Sequence, residues 1–275
     1  MQRRVYGNFL EAIAAASACV SLIGCSVLGV APGAPSIHLR GTIRGGQQPV
    51  MGSAIQLYAA GNTGDGSSAL ALLHTAVTSS DGTGNATDSN ANAGNGFNSL
   101  PTGGFTITND YQCPSGSTEV YLVAVGGNPG LPAGMTNPNL ALMAALGPCS
   151  ALSGTTNVSV NELTTVASVA ALASFTTGYN SVGSDPSDNG SLVQAFAQVN
   201  ELVDTSTGAV PGPALPSGFI APTATLTTLA DIIAACVNSA GGVAGDHSVC
   251  GNLFAFTTPP GQAPPPRTRS LQLST

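Results

Sequence analysis

The segment Ile37 to Ala59 reads IHLRGTIRGGQQPVMGSAIQLYA and contains two alternating stretches on either side of a Gly45-Gly46 turn. In both stretches the apolar residues lie on one face of an extended chain, with polar or small residues between them. The apolar positions are Ile37, Leu39 and Ile43 before the turn and Ile55, Leu57 and Ala59 after it. A period of two is typical of a strand with one buried face. The segment therefore predicts two paired strands.

Three further strands are predicted along the chain, over residues 69–78, 105–108 and 120–125. The last of them, Val120 to Val125, is an unbroken apolar run, which is typical of a central strand covered on both faces. Several short strands separated by turns indicate an antiparallel sandwich.

The second half of the chain has helical spacing. Apolar residues recur three or four positions apart over 163–172, 192–203 and 226–237, and Asn161 is a suitable N-cap for the first helix. We interpret these apolar stripes as helix faces that are buried in the hydrophobic core. A cofactor-binding motif or a membrane-binding face is the alternative, but no stripe is flanked by basic residues. A short helix is also predicted over Asn139 to Leu146. The expected fold class is α+β: an N-terminal antiparallel Greek-key β-sandwich followed by a small disulfide-containing helical domain.

Charged residues are scarce in this chain of 275 residues, at 7% of the composition. There is no lysine, and the arginines lie at the two ends or in one short segment, so a basic face for nucleic acid is excluded. The net charge of −7 favours solubility and indicates no particular partner.

The first 25 residues resemble an export signal. Arg3-Arg4 precedes the short apolar stretch Ala12 to Ile23, which is too short to span a bilayer. The stretch ends in Leu22-Ile23-Gly24-Cys25, which is similar to the lipobox of bacterial lipoproteins and implies that Cys25 is lipidated. An ordinary signal peptide, cut after Ala31 or Ala34, is the alternative.

Cysteine usage agrees with export. If Cys19 leaves with the signal peptide and Cys25 carries the lipid, an even number remains, which suits disulfides in an oxidising compartment. Three pairings are possible; we favour the two that close short local loops, Cys113 with Cys149 and Cys236 with Cys250. A metal site is the alternative, but no pair has CxxC spacing.

Several motifs resemble the carboxypeptidase regulatory-like (transthyretin-like) β-sandwich family. They are Gly41-Thr42-Ile43-Arg44-Gly45-Gly46, Pro49-Val50, Gly52-Ser53-Ala54-Ile55-Gln56-Leu57-Tyr58, Ser80-Asp81-Gly82 and Gly104-Phe105. The resemblance covers residues 36–126 and implies a non-catalytic accessory module. The chain departs from the family pattern by an insertion, Thr83 to Gly103, which separates the Asp-Gly turn from its phenylalanine.

The rest of the chain resembles an arrangement found in large secreted proteins of soil bacteria, especially acidobacteria. The matching motifs are GGNPG at 126–130, the segment 139–149, and VNELTTVA at 160–167. The resemblance implies a helical region over 127–258, after a signal peptide at 1–25 and a linker at 26–35. In those proteins a propeller often follows. Here a Pro-rich segment, 259–275, follows instead; we expect it to be disordered, and the chain looks like a truncated form.

Catalytic motifs are missing from the sequence. His38, His74 and His247 do not accompany a nucleophile motif, and there is no G-x-S-x-G, H-E-x-x-H or phosphate-binding loop. The carboxylates on the predicted helices suit solvated faces or caps and suggest no catalytic pair. We therefore expect neither enzymatic activity nor a cofactor.

An oxygen-rich loop within the insertion partly resembles a calcium loop. Its candidate ligands are Asp81, Asp88, Asn90 and Asn92. Ser99 stands where an EF-hand has its twelfth-position glutamate, and Ala93 replaces the turn glycine. Weak calcium binding is one interpretation; a dispensable low-complexity insertion is the one we favour.

Taken together, these features indicate a non-catalytic structural or interaction module at the cell envelope. We expect it to be exported and lipid-anchored to a bacterial membrane, the outer membrane in particular, with the bilayer and an unidentified protein or cell-wall component as partners. A carbohydrate- or peptide-binding accessory domain is the alternative, although the absence of Trp disfavours sugar stacking. An unrecognised hydrolase is the third hypothesis.

Overall fold

A computed structural model describes residues 38–83, 100–108 and 111–257. Cys25, the leader, the linker, the tail and three of the four calcium-loop candidates (Asp88, Asn90 and Asn92) lie outside these ranges. The described chain is mixed α+β. Its strands are β1 His38–Gly45, β2 Gln48–Pro49, β3 Ala54–Ala59, β4 Leu70–Ala71, β5 Val77–Thr78, β6 Gly104–Thr108, β7 Glu119–Val125, β8 Ala141–Pro148, β9 Asn157–Val160, β10 Thr176–Gly178 and β11 Ser181–Val182. Its helices are α1 Glu162–Ala171, α2 Asn189–Leu202, α3 Thr223–Val237 and α4 Val249–Thr257, with 3₁₀ turns at Cys149–Ala151 and Ala173–Phe175.

Two larger sheets and one small pair contain these strands. In the first sheet, β1 is antiparallel to β2 and β6 and parallel to β9. The second sheet is antiparallel, with the order β4-β3-β7-β8, and β5 also pairs with β3. The strands β10 and β11 form a separate antiparallel pair.

Side chains from both larger sheets belong to one buried cluster. It includes Leu39 of β1, Phe105 of β6, Leu57 of β3, Leu122 of β7 and Val158 of β9. The alternating residues predicted to be apolar in β1 and β3 are therefore the ones that form this core. Such burial is the main favourable term in folding.

The second sheet is covered on its other face by helices. Tyr121 and Val123 of β7 and Met143 of β8 form a second cluster with Phe196 of α2 and Leu172, which follows α1. β7 lies between β3 and β8 and is buried over almost its whole length. The prediction of a central strand covered on both faces is confirmed.

The first helix begins where the sequence predicts. Asn161 Oδ1 accepts a hydrogen bond from Thr164 N at 2.9 Å, and Thr164 Oγ1 accepts one from Asn161 N at 2.9 Å, forming a reciprocal capping box. One face of α1 then contacts β8, because Met143 N donates to Thr165 Oγ1 and Ala145 N donates to Ser168 Oγ. Hydroxyls of a helix thus satisfy backbone donors of this strand. The three helices predicted from apolar stripes are confirmed as α1, α2 and α3.

The short helix predicted over Asn139 to Leu146 is wrong, because this segment forms most of β8. Alanine, leucine and methionine favour a helix in isolation. Here Ala141 to Ala145 pair with β7 and are all buried, so tertiary pairing overrides the intrinsic preference. The range 127–258, which the resemblance implies to be helical, therefore also supplies β8 and β9 to the two larger sheets.

The strand predicted over 69–78 is interrupted. Only β4 and β5 at its two ends pair with β3 as strands, and between them one backbone hydrogen bond, from Leu72 N to Leu57 O at 2.8 Å, is joined by hydrogen bonds of the Gln56 side chain. Gln56 Oε1 accepts from Leu73 N at 2.9 Å, and Gln56 Nε2 donates to Leu73 O at 3.0 Å. A side-chain amide thus supplies the hydrogen bonds that a continuous strand would have made.

The end of the insertion is part of the fold. Gly103 N donates to Ser80 O at 2.8 Å, and Gly103 O accepts from Ile43 N at 2.8 Å. Deleting the whole insertion, Thr83 to Gly103, would remove these two hydrogen bonds, and its dispensability to the fold stays a prediction.

Gly41 lies where β1 is flanked by β6 and β9. A Cβ atom there would overlap Val158 O and approach Phe105 Cζ to 2.7 Å. We predict that Gly41→Ala lowers the free energy of unfolding by about 2 kcal/mol or more, because a backbone carbonyl in a sheet has no room to move. Urea denaturation of both proteins measures the difference.

Gly190, inside α2, is the matched control. No atom lies within 4 Å of a Cβ built there, so Gly190→Ala is expected to leave stability unchanged or raise it by up to about 1 kcal/mol. Equal destabilisation by the two substitutions would show that the close packing around Gly41 does not cause the loss in free energy of unfolding.

Candidate functional site

A cleft of about 430 Å³ opens where the end of β3, the start of β7 and the start of α2 meet. Its volume lies within the range of small-molecule sites. The residues that line it are Ala59, Ala60, Gly61, Asn62, Ser68, Leu70, Pro114, Ser115, Ser117, Thr118, Glu119, Ser184, Asp185, Pro186, Asn189 and Leu192. None of them is aromatic or cationic.

Glu119 is the first residue of β7 and is 3% exposed. Its backbone is fixed on both sides, because Ala60 N donates to Glu119 O at 2.9 Å and Glu119 pairs with Pro148 of β8. The carboxyl oxygen Oε2 is buried and has no hydrogen-bond partner among the described residues. The strand pairing therefore holds an unpaired carboxyl at the wall of the cleft.

Burial raises the pKa of Glu119 to about 7. The cause is desolvation, which disfavours the charged form of a carboxyl group. No arginine or histidine lines the cleft to offset this effect. Glu119 consequently changes charge near neutral pH.

Ser184 supplies a second buried polar atom to the cleft. Its side chain is 1% exposed, and Oγ has no hydrogen-bond partner within the described chain. The backbone is positioned by a bridge between Gly61 and Gly183, with Ser184 N donating to Gly61 O at 3.2 Å. A Cβ on Gly183 would lie 2.7 Å from Gly61 O, so this close approach requires glycine.

The Cys113–Cys149 disulfide anchors one wall of the cleft. The Cα atoms of the two cysteines are 6.2 Å apart, within the range for a disulfide. Cys149 N donates to Thr118 O at 2.8 Å, and Ser150 N donates to Gly116 O at 2.8 Å. Residues 114–118, which form this wall, are thereby tied to the end of β8.

Asp185 lies at the opposite wall, before α2. Its Oδ1 accepts hydrogen bonds from Ser187 N at 2.7 Å, from Asp188 N at 3.1 Å and from the Ser187 hydroxyl. These hydrogen bonds hold the pKa of Asp185 below its ordinary value, and the bond from the Ser187 hydroxyl contributes most to this lowering. Asp185 is therefore ionised throughout the neutral range.

The other predicted cysteine pair lies elsewhere. Cys236 of α3 and Cys250 of α4 have Cα atoms 4.5 Å apart, so the second disulfide joins these two helices. Asn137 Nδ2 donates to Cys236 O at 2.8 Å and to Val237 O at 3.0 Å, which fixes the end of α3 to the segment before β8.

The remaining sequence candidates that lie within the described residues do not assemble into a site. Asp81 Oδ1 accepts from Thr83 N at 2.8 Å, as in a local turn. His74 and His247 are exposed and do not line the cleft. Within the ranges that the structure describes, no three His, Cys, Asp or Glu side chains are grouped as a metal site would require. No described helix is long and apolar enough to cross a membrane.

Glu162 is a second buried carboxylate, but it is already paired. Its Oε1 accepts a hydrogen bond from Gly46 N at 2.6 Å. Burial raises the pKa of Glu162 despite this hydrogen bond. Glu162 therefore links the β1–β2 turn to the start of α1 and is not exposed to a ligand.

Sequence reasoning missed Glu119 and Ser184. A signal existed for Glu119, because it immediately precedes the apolar run of β7, where an exposed side chain is unexpected. Ser184 has no comparable signal, since only the Gly61–Gly183 contact, which is far from local in sequence, brings it to the cleft.

No protein-family model, curated protein or solved structure matches the chain.

Glu119 makes the stability of the protein depend on pH. Its pKa is raised in the folded state, so its favourable contribution is complete below the unfolded value of 4.5 and is lost as the pH rises through about 7. We predict that the free energy of unfolding falls by roughly 1–3 kcal/mol between pH 5 and pH 8 from this residue, allowing for screening at the open side of the cleft.

Glu119→Gln should therefore be more stable than the parent protein at pH 8 and should depend less steeply on pH. The stability of this variant still depends on pH to some extent, because the pKa of Glu162 is also raised. Thermal unfolding at pH 5 and pH 8 measures both effects, with Glu201→Gln, on α2, as the control. An unchanged pH profile in Glu119→Gln would contradict the burial argument.

The two disulfides should differ in their contribution to stability. Cys113 and Cys149 are separated by 36 residues, and Cys236 and Cys250 by 14. Loop-closure entropy gives about 4 kcal/mol for the first and about 3 kcal/mol for the second. We predict that the Cys113→Ser, Cys149→Ser double variant loses more free energy of unfolding than Cys236→Ser, Cys250→Ser. Chemical denaturation of the oxidised proteins decides the order, and the reverse order would refute it.

Proposed function

We propose that the chain is an exported bacterial lipoprotein, anchored through Cys25, whose folded part is a non-catalytic structural or interaction module at the cell envelope. The observation that carries this proposal is the placement of both cysteine pairs at disulfide distance. Disulfides persist in oxidising compartments, which agrees with the charged and apolar leader. The lipid-bearing membrane is the outer membrane, with the module facing the periplasm or the exterior.

The proposed architecture is a Greek-key sandwich of the carboxypeptidase regulatory-like type, over 36–126, followed by a helical domain. Support comes from the two larger sheets, which share one buried cluster. The motifs that carry the resemblance coincide with β1, β2 and β3 and with the start of β6. The strands β8 and β9, from beyond residue 126, complete the same two sheets.

Binding is favoured over catalysis by the arrangement of the cleft. Ser184 Oγ is buried and donates no hydrogen bond to a base among the described residues, so no described group activates it as a nucleophile. The cleft instead combines a buried carboxyl with several hydroxyl groups. These groups suit recognition of a small polar ligand or a peptide end.

A carbohydrate- or peptide-binding accessory domain is the alternative. Sugar sites usually contain aromatic platforms, and none of the residues that line the cleft is aromatic. The peptide form of this alternative is therefore the better supported one.

A hydrolase is the third candidate, and Glu119 is the observation that favours it. A carboxyl whose pKa is about 7 can exchange protons at neutral pH. A hydrolytic activity that disappears in Glu119→Gln would replace the non-catalytic proposal.

The lipid anchor is tested by Cys25→Ser. We predict that this variant is released from membranes and is not labelled by a fatty-acid probe, because the thiol that accepts the lipid is gone. Cys19→Ser is the matched control: Cys19 lies inside the proposed leader, so labelling and membrane attachment should persist. Labelled, membrane-bound Cys25→Ser would refute the lipoprotein proposal.

A further inference from the structure

The cleft contains two buried polar atoms that the described chain leaves unpaired, Glu119 Oε2 and Ser184 Oγ. Buried polar groups in native proteins almost always have a hydrogen-bond partner, and an unpaired carboxylate is especially costly. Both atoms belong to residues that line the same cleft, so a ligand bound there could supply the missing hydrogen-bond partner.

The charges around the cleft determine what kind of partner fits. Glu119 and Asp185 are the ionisable residues that line it, and both are acidic. The described arginines, Arg40 and Arg44, are exposed residues of β1 and do not line the cleft. The chain has no lysine. Among the described residues, none places a positive charge beside Glu119, so a cationic ligand would supply the missing charge.

We propose that this cleft binds the ammonium group of a small primary amine, with Glu119 as its counter-ion and Ser184 as a hydrogen-bond acceptor. This inference rests on the proposed function as a binding module. An ammonium group has three N–H donors and no acceptor, so it complements a carboxylate and a hydroxyl oxygen. Glu119 Oε2 and Ser184 Oγ are two unpaired oxygens, whereas a divalent cation takes six or more oxygens as ligands or keeps several waters.

An anion does not fit the same position. Glu119 and Asp185 would both repel it. The start of α2, which could otherwise attract an anion, already has Asp185 Oδ1 accepting from Asp188 N. The binding of a neutral polyol would not depend on the charge of Glu119. A comparison of a charged and a neutral ligand therefore distinguishes an ammonium site from a polyol site.

Binding of an ammonium group should depend on pH through Glu119 alone. Asp65 and Asp188 lie on neighbouring segments but do not line the cleft, and Tyr58 and Tyr121 pack into the cluster on the helical side. Asp185 lines the cleft but stays ionised, because its hydrogen bonds lower its pKa. Of the two ionisable residues that line the cleft, Glu119, with a pKa of about 7, is the one that changes charge between pH 5 and pH 8.

The test is ligand-observed NMR on the full-length protein, with n-butylammonium as the probe and 1-butanol as its neutral counterpart. We expect n-butylammonium to bind at pH 8 and at least about tenfold more weakly at pH 5, where Glu119 is protonated. Glu119→Gln should weaken binding at pH 8 by at least about tenfold, and Ser184→Ala by a smaller factor. Glu201→Gln, at the far end of α2, should bind like the parent protein.

Three outcomes would overturn the inference: no binding of n-butylammonium at pH 8, equal binding at pH 5 and pH 8, or equal binding of 1-butanol. The unfolding temperature of Glu119→Gln shows whether the variant is folded, so a loss of binding cannot be confused with a loss of structure. The module proposal fails separately, if Cys25→Ser stays lipidated or a Glu119-dependent hydrolysis is found.

Discussion

The contact between α1 and the edge of β8 is the interaction on which the arrangement of the chain depends. β8 ends the second sheet, so its outward backbone donors have no strand to pair with. Thr165 and Ser168 accept hydrogen bonds from Met143 N and Ala145 N. An exposed edge strand is prone to pair with another chain, and covering it with a helix removes that hazard. The helix thereby fixes where α2 and α3 can pack.

The covering of the β8 edge by α1 also explains why the carboxyl group of Glu119 is buried. With β8 in place and helices over the second face, β7 is enclosed by β3, β8 and two hydrophobic clusters. Strand pairing extends to the first residue of β7, so Glu119 cannot turn towards bulk solvent. Glu119 is nevertheless among the residues that line the cleft between this strand and α2. A structural constraint on the sheet thus determines the chemistry of the site.

Helices and strands with an unambiguous apolar periodicity were predicted correctly from the sequence. Segments whose periodicity fits both a helix and a strand were not. β1, β3 and β7 follow from alternation or from a continuous apolar run, and α1 follows from its cap and its stripe. β8 did not, because ALMAAL satisfies helix propensity as well as it satisfies a buried strand. The interruption at Gln56 depends on a side-chain amide replacing backbone hydrogen bonds, which no local pattern encodes. The cleft was not predictable, since residues 59–70, 114–119 and 184–192 meet only in the folded chain.

The Cys113–Cys149 disulfide connects the wall of the cleft to the end of β8. The residues that follow Cys113 form one wall of the cleft, and Cys149 follows the end of β8, whose Pro148 pairs with Glu119. The disulfide therefore helps to fix the position of the wall, residues 114–118, relative to the carboxyl group of Glu119. The cysteines of the second disulfide, which joins α3 to α4, are not among the residues that line the cleft. Reduction of Cys113–Cys149 would therefore release the covalent link between the cleft wall and the end of β8, whereas reduction of Cys236–Cys250 would leave that link intact.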